Sequence, residues 1–148
     1  MALGTYAGAT AAIVGLVKVT RRPLPERPAT ADVVLLAIAT HKLSRLLSKK
    51  AVTSPLRAPF TRYARPIGSG EVMEEVRDSG SPTRHAVGEL LSCPFCLAVW
   101  VATGLTGGLV LAPRLTRLVA TALTAMTASD FIQLAYATAQ QRAERSEG

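Results

Sequence analysis

Hydrophobic and charged positions are separated into long blocks along this chain. The longest block without a charge runs from Leu90 to Pro113, between Glu89 and Arg114. A helix of this length extends about 36 Å, which is sufficient to cross a hydrocarbon core about 30 Å thick. Because a small soluble domain rarely contains a helix that is apolar on every face, the block predicts a membrane-spanning helix.

Three further apolar blocks predict additional helices, and together the blocks indicate an all-α integral membrane protein. We expect a single membrane domain, a bundle of three to four helices with a C-terminal helical hairpin and an irregular basic cytoplasmic segment. The predicted parts are a spanning helix (1–19), a linker (20–29), a spanning or interfacial helix (30–47), a polar cytoplasmic segment (48–89), two spanning helices (90–113 and 118–139) and a tail (140–148).

The polar segment carries four prolines and several glycines, which leave little room for long regular elements. A short helix over 71–77 is the expected exception. Nine of the 17 Lys and Arg residues lie between Lys42 and Arg84, and this bias predicts that the segment is cytoplasmic. Its basic side chains are expected to rest on anionic headgroups, with a docking surface for a cytoplasmic partner as the alternative. These side chains are Lys49, Lys50, Arg57, Arg62 and Arg65.

Two topologies are consistent with the pattern. If all four apolar blocks cross the membrane, 11 of the 17 basic residues lie inside, whereas 15 of 17 do if the helix over 30–47 does not cross. The positive-inside bias favours the second arrangement, and the apolar length of 29–47 favours the first.

Composition agrees with a membrane location. Charged residues make up 18% of the chain, below the roughly 25% of soluble domains. The net charge of +7 suits an anionic membrane surface, and with only 5% aromatic residues and no known nucleic-acid module we expect no nucleic-acid partner. Expected partners are membrane lipids and either a second copy of the chain or another membrane protein.

Three sequence blocks together resemble a bacterial and phage family of small membrane proteins with a domain of unknown function, one member of which is labelled a sporulation protein. The resemblance covers 33–136 and implies a bacterial cell membrane location, but the family has no established activity. The blocks are ATHKLSRLLSKKAVTSPLRAPF (39–60), GELLSCPFCLAVWVA (88–102) and SDFIQLAY (129–136).

Cys93 and Cys96 form a C-x-x-C motif at the start of an apolar helix. A helix N-terminus lowers a thiol pKa, so the pair is a candidate dithiol. The same spacing supplies two thiolates to zinc, with His85 and His41 as the histidines available to complete the set. The third interpretation, which we favour, is that both cysteines pack as small apolar side chains.

Asp130 lies about twelve residues, or roughly 18 Å, into its predicted helix. An ionisable residue at such depth is a functional hypothesis whose partner should be named. Lys42 lies at matching depth if the helix over 30–47 crosses in the same direction, and Arg45 lies one turn away. We expect a polar lock between helices, joined by Gln133, with a proton or ion path as the alternative.

Small residues recur at four-residue spacing in the last two helices and predict faces for helix packing. These are Gly104 and Gly108 in one helix and Ala120, Thr124 and Ala128 in the next. The sequence contains no complete catalytic set. The expected function is therefore a non-enzymatic interaction or assembly component of the membrane, and the alternatives are a thiol redox or metal-binding protein and a small transporter that uses Asp130.

Overall fold

The computed structural model describes residues 2–68, 70–78 and 80–146, which form six α-helices and one two-stranded sheet. Residues 1, 147 and 148, at the ends of the predicted first helix and tail, lie outside the described residues. The helices are α1 (Ala2–Val19), α2 (Thr30–Lys49), α3 (Ser54–Arg57), α4 (Pro82–Ser92), α5 (Pro94–Leu111) and α6 (Pro113–Ser146). The strands are β1 (Thr61–Gly68) and β2 (Glu71–Val76), and one turn of 3-10 helix spans Ala51–Thr53.

The mostly helical fold is confirmed, but the expectation that the protein is all-α is wrong, as is the predicted helix over 71–77. β1 and β2 form an antiparallel hairpin in which Thr61 pairs with Val76 and Gly68 with Glu71. A helix of seven residues is marginal in water, whereas pairing with β1 gives the same backbone groups hydrogen-bond partners. Gly68 and Gly70 supply the positive φ angles with which the chain reverses.

Two prolines set the helix boundaries in the C-terminal half. Cys93 is extended, with φ −104° and ψ 106°, and Pro94 occupies the first turn of α5, so the block over 90–113 is divided between α4 and α5. Only Ala112 separates α5 from α6, and α6 begins at Pro113 instead of the predicted 118. The second arm of the hairpin is therefore longer than its apolar block.

The four long helices α1, α2, α5 and α6 form a bundle. Tyr6 Oη lies 2.8 Å from Thr103 Oγ1, and further along α1 Ile13 packs against Gly107, so α1 runs beside α5 in the same direction. The Tyr6 ring also meets Trp100 edge to face, with centroids 5.4 Å apart.

Two ion pairs show how α2 lies in this bundle. Arg117 donates to both carboxylate oxygens of Asp32 at 2.8 and 2.7 Å, and Lys42 reaches Asp130 further along both helices. Because the partners advance together, α2 and α6 are parallel. Both are antiparallel to α5, so successive long helices alternate in direction.

The core between the helices is small. Ala39 of α2 and Ala120 of α6 are completely buried, and side chains this short allow the two helices to approach closely. Leu123 completes the buried cluster. The surrounding, partly buried leucines are Leu35, Leu36, Leu43 and Leu105.

Residues 51–92, which we call the cap, connect α2 to α5 at one end of the bundle. They comprise the 3-10 turn, α3, the β-hairpin and α4. Gly88 of α4 packs so closely on the hairpin that an added Cβ would lie 2.7 Å from Val76 Cγ1. The cap is therefore a packed unit on the bundle and not the irregular segment expected from its prolines.

Candidate functional site

A cleft of about 540 Å³ opens where the last turns of α2, the tip of the β-hairpin and the middle of α6 meet. Half of the charged or titratable side chains at this cleft come from α2, and most of the remaining lining is apolar. The charged or titratable residues are His41, Lys42, Arg45, Lys50, Glu71 and Asp130.

Lys42 and Asp130 form the contact that joins α2 to α6 at this cleft. Lys42 Nζ lies 2.5 Å from Asp130 Oδ2, and the side chains are 6% and 42% exposed respectively. The lysine is thus nearly enclosed while the carboxylate opens to the cleft. Of the two partners considered for Asp130 from the sequence, the structure brings Lys42 to it.

Arg45 pairs with the cap instead. Its Nη2 and Nε donate to the two carboxylate oxygens of Glu71 at 2.6 and 3.3 Å. Lys50 Nζ lies 3.7 Å from the same carboxylate. Glu71 therefore holds two basic side chains from the end of α2, a role that the short helix predicted over 71–77 did not suggest.

Gln133 lines the cleft without joining the Lys42–Asp130 pair among the described contacts. Its amide Nε2 lies 3.4 Å from Ser129 Oγ on the same helix.

Since α6 begins at Pro113, Asp130 lies about 25 Å along it, which is nearly the whole length of α5. Asp130 is therefore level with the start of α5, at the cap end of the bundle and not midway along it.

Arg57 forms a second charged site, inside the cap, that sequence reasoning missed. Its side chain is 1% exposed, and each of its five N–H groups has an acceptor. Nη1 donates to Leu47 O and Thr53 Oγ1 at 2.6 and 2.7 Å, while Nη2 donates to Lys50 O at 3.2 Å. Nε and Nη2 donate to the two oxygens of Glu74 at 2.9 Å each.

The Glu74 carboxylate is satisfied as completely as its partner. Besides Arg57, it accepts hydrogen bonds from the hydroxyls of Ser54 and Thr61 at 2.5 Å each. Burial raises the pKa of Glu74, but the hydrogen bonds from Arg57, Ser54 and Thr61 together lower it by more, so the pKa lies below its usual range. Glu74 is therefore charged at neutral pH.

This Arg57–Glu74 site connects the end of α2 to α3 and β2. Arg57 donates to carbonyls at the C-terminus of α2, where the last turn leaves acceptors without helical partners. The expectation that Arg57 rests on lipid headgroups is wrong, because its guanidinium is enclosed by protein. The one signal in the sequence is a basic residue two positions after Ser54-Pro55, shortly beyond the end of the predicted helix over 30–47.

The cysteines lie where α4 meets α5. Cys93 caps α5, and its Sγ accepts the amide N–H of Cys96 at 3.3 Å. Cys96 is exposed. His85 lies 3.4 Å from Glu89 on α4, and His41 lines the cleft. Within the described ranges, no three His, Cys, Asp or Glu side chains are grouped closely enough to hold a metal ion.

The small residues predicted to pack helices divide into contacting and exposed positions. Gly108 faces Thr116, whose Oγ1 would lie 2.7 Å from an added Cβ, whereas Gly104 has no heavy atom within 4 Å of that position. On α6, Ala120 is buried and Thr124 donates to its carbonyl, while Ala128 is exposed. Gly107 is a contacting position that the four-residue spacing missed.

The fold and the site define a mostly helical protein with two helices long and apolar enough to cross a membrane and with ionic contacts at the ends of its bundle. The chain belongs to the family described as "Protein of unknown function (DUF1360)", whose model matches residues 35–136. This confirms the resemblance seen in the three sequence blocks.

A curated relative carries the sporulation label. The chain is 35% identical over 71 residues to "Sporulation protein YjcA" of Bacillus subtilis (strain 168), an alignment that covers 47% of this chain and 60% of the relative. The chain thus spans three fifths of that relative's length. No solved structure matches the chain.

Proposed function

We propose that this protein is a small integral membrane protein whose four long helices cross the bilayer, and that it acts as a non-enzymatic interaction or assembly component. The cap and the C-terminal end of α6 lie on the cytoplasmic side. The proposal rests on where the structure puts its apolar and charged side chains.

The outward faces of the bundle support a lipid environment. α5 and α6 are long and apolar enough to span, and only a small part of either helix is buried inside the protein. A soluble core helix of that composition would be mostly covered. Large apolar side chains instead face outward over both helices, an exposure that a soluble monomer rarely has. These include Phe95, Val99, Leu118, Val119, Met126 and Phe131.

The placement of charge is the observation that carries the proposal. The inter-helix ion pairs lie at two levels, with Asp32–Arg117 near one end of the bundle and Lys42–Asp130 near the other. Between Arg117 and Asp130, α6 carries no charge over about 20 Å, and α5 carries none at all. A charge-free belt between two charged ends is what a bilayer selects.

Helix direction supports the topology in which all four long helices cross. The alternating directions put the start of α1, the cap and the C-terminal end of α6 on one side, and the linker with Arg21, Arg22 and Arg27 on the other. The first side carries 11 of the 17 basic residues. By the positive-inside rule that side is cytoplasmic, although the bias is weaker than in the three-crossing arrangement.

The ionic contacts support an assembly role. Lys42–Asp130 joins two helices, Arg45–Glu71 joins the bundle to the cap, and Arg57–Glu74 joins α2 to the hairpin. Because these pairs hold the elements of the chain in fixed positions, the exposed basic residues of the hairpin form a fixed surface for a partner. Arg62 and Arg65 are the exposed basic residues of β1.

The topology is tested with single cysteines in a Cys93→Ser, Cys96→Ser background. Pro25→Cys lies in the linker and Asp78→Cys in the cap, and both positions are exposed. A membrane-impermeant maleimide should label position 25 in intact cells and position 78 only after lysis. Labelling of both positions in intact cells contradicts the topology. Folded protein that stays in the supernatant after ultracentrifugation without detergent contradicts the membrane assignment.

A dithiol function is the second candidate, favoured by one contact. Cys96 is exposed and Cys93 Sγ accepts its amide N–H, so the two thiols lie together at the start of α5. Replacing both with serine should then give cells the phenotype of cells that lack the protein, while the amount of membrane-inserted protein stays unchanged. An unchanged phenotype in the double variant removes this candidate.

A further inference from the structure

The cleft between α2, the hairpin tip and α6 combines two kinds of lining. One part of its lining is basic and the other is apolar and outward-facing. We propose that this cleft binds the phosphate headgroup of one anionic phospholipid from the cytoplasmic leaflet, with an acyl chain lying along α6. This inference rests on the proposed membrane topology.

The basic part of the lining comes from the end of α2. Lys42, Arg45 and Lys50 bring three cationic side chains to the cleft, against the two carboxylates of Glu71 and Asp130. The balance is positive by one charge. Such a site attracts an anion, and its two carboxylates reduce the repulsion among its three cations.

Arg45 is the residue best arranged to receive a phosphate. Its side chain is 43% exposed, and Glu71 occupies its Nε and Nη2. Among the described contacts, its Nη1 group has no hydrogen-bond partner. A guanidinium held rigidly on one edge by a carboxylate presents its other edge to an incoming phosphate oxygen.

The apolar part of the lining faces the place where acyl chains would lie. Phe131 and Leu134 of α6 are 68% and 52% exposed, although both border the cleft. Because α2 and α6 are parallel and Lys42 meets Asp130, Phe131 lies level with Lys42 at the depth where hydrocarbon gives way to headgroups, and Leu134 lies one turn nearer the cytoplasm. A phosphate at Arg45 and Lys50 therefore leaves the start of an acyl chain beside Phe131. A soluble anion would gain nothing from these two side chains, whereas a phospholipid uses both parts of the cleft.

The volume of the cleft is in the range of small-ligand sites, about 300 to 1,000 Å³. Asp130 and Phe131, which border it, are 42% and 68% exposed, so a headgroup reaches the cleft without any opening of the bundle.

The experiment uses the full chain reconstituted in nanodiscs with equal phosphatidylglycerol and phosphatidylcholine of matched acyl chains, and counts retained lipids by native mass spectrometry. We expect one phosphatidylglycerol to be retained about fivefold over phosphatidylcholine, since the cleft carries one net positive charge and a cation near an anionic headgroup contributes roughly fivefold. Arg45→Gln with Lys50→Gln should abolish the preference. The matched control, Arg62→Gln with Arg65→Gln, removes the same charge outside the cleft and should keep it.

Several outcomes overturn the inference. Equal retention of the two lipids by the unaltered chain does so, as does an equal loss in the cleft and control variants. Full displacement of the lipid by millimolar glycerol 3-phosphate shows that phosphate alone is recognised. A co-purifying protein lost only from the cleft variant, with phosphatidylglycerol retained, makes the cleft a protein-docking surface.

Two further measurements separate binding from folding and from topology. Lys50→Arg keeps the charge of the cleft and should retain the preference, and added salt should weaken it in the unaltered chain. The membrane fraction of each preparation is measured in parallel. Membrane-inserted protein without lipid preference overturns only the cleft assignment, whereas protein outside the membrane overturns the proposed function and this inference together.

Discussion

Glu74 and Glu75 are neighbours on β2, and an arginine donates two hydrogen bonds to each of them. Their side chains point to opposite faces of the strand. Glu74 faces the interior of the cap with Arg57, and the two side chains are 3% and 1% exposed. Glu75 faces outward with Arg62, and these side chains are 58% and 67% exposed. One strand therefore carries the same chemical pair in two opposite surroundings.

Burial, and not the pairing itself, sets what each pair contributes. When the outer pair, Arg62–Glu75, is broken, water hydrates both charges and the protein loses little stability. When the inner pair, Arg57–Glu74, is broken by removing Arg57, the Glu74 carboxylate and the carbonyls at the end of α2 stay inside the protein without their donor. Arg57 also serves three acceptors besides Glu74, whereas Arg62 has only Glu75 among the described side-chain contacts.

Removing the inner arginine should have the largest effect. Arg57→Ala leaves the Glu74 carboxylate buried without its cation, and we expect the free energy of unfolding to fall by about 3 to 5 kcal/mol. Arg57→Lys should restore little of this, because an ammonium offers three donors in place of a five-donor fork. The measurement is denaturant or thermal unfolding of the purified protein, and a loss no larger than that of Arg62→Ala would show that the site is wrongly assigned.

Acid should weaken the inner pair selectively. The pKa of Glu74 is lowered in the folded protein, so its contribution is fully present above the ordinary glutamate pKa, about 4.3, and is lost as the pH falls through the folded value. The stability difference between the unaltered chain and Glu74→Gln should therefore shrink below about pH 4.3. Unfolding of both proteins followed from pH 7 downward tests this, and a stability difference that stays constant to acid pH contradicts it.

Breaking the Lys42–Asp130 pair at the cleft should cost less stability than breaking the inner pair and more than breaking the outer pair. Asp130→Ala strands the enclosed Lys42 amine, but Asp130 is itself 42% exposed, so we expect a loss of about 1 to 2 kcal/mol. Gln133→Ala should cost less, since Gln133 contacts only Ser129 on its own helix among the described residues. Equal small effects in an unfolding titration would show that solvent reaches Lys42 and that the pair does not lock α2 to α6.

The sequence predicts the helices better than the cap, for a physical reason. Apolar blocks are local signals, and counting along two of them puts Lys42 and Asp130 at matching depth, where the structure pairs them. The hairpin gives no such signal, because Pro66 and two register irregularities interrupt the alternation of β1. Its pairing is decided by partners up to fifteen positions away.

The buried arginine could not be found in the same way. Arg57 is one of several basic residues in a segment that the positive-inside bias treats as equivalent. What distinguishes it is the position of Glu74, seventeen residues on, and the end of α2 above it. Both depend on the tertiary fold. The sequence around Arg57 does not say that its side chain is buried and that of Arg62 exposed, since that difference arises only once β1 and β2 have paired.

The smallest effect should come from the outer pair. Arg62→Ala removes one exposed charge, and we expect the free energy of unfolding to change by less than about 0.5 kcal/mol. Because the pair lies in water, even that change should disappear at high salt. A double-mutant cycle of Arg62→Ala with Glu75→Ala measures the coupling directly. A coupling as large as that of the Arg57–Glu74 cycle would mean that pairing across β1 and β2, and not burial, stabilises the cap.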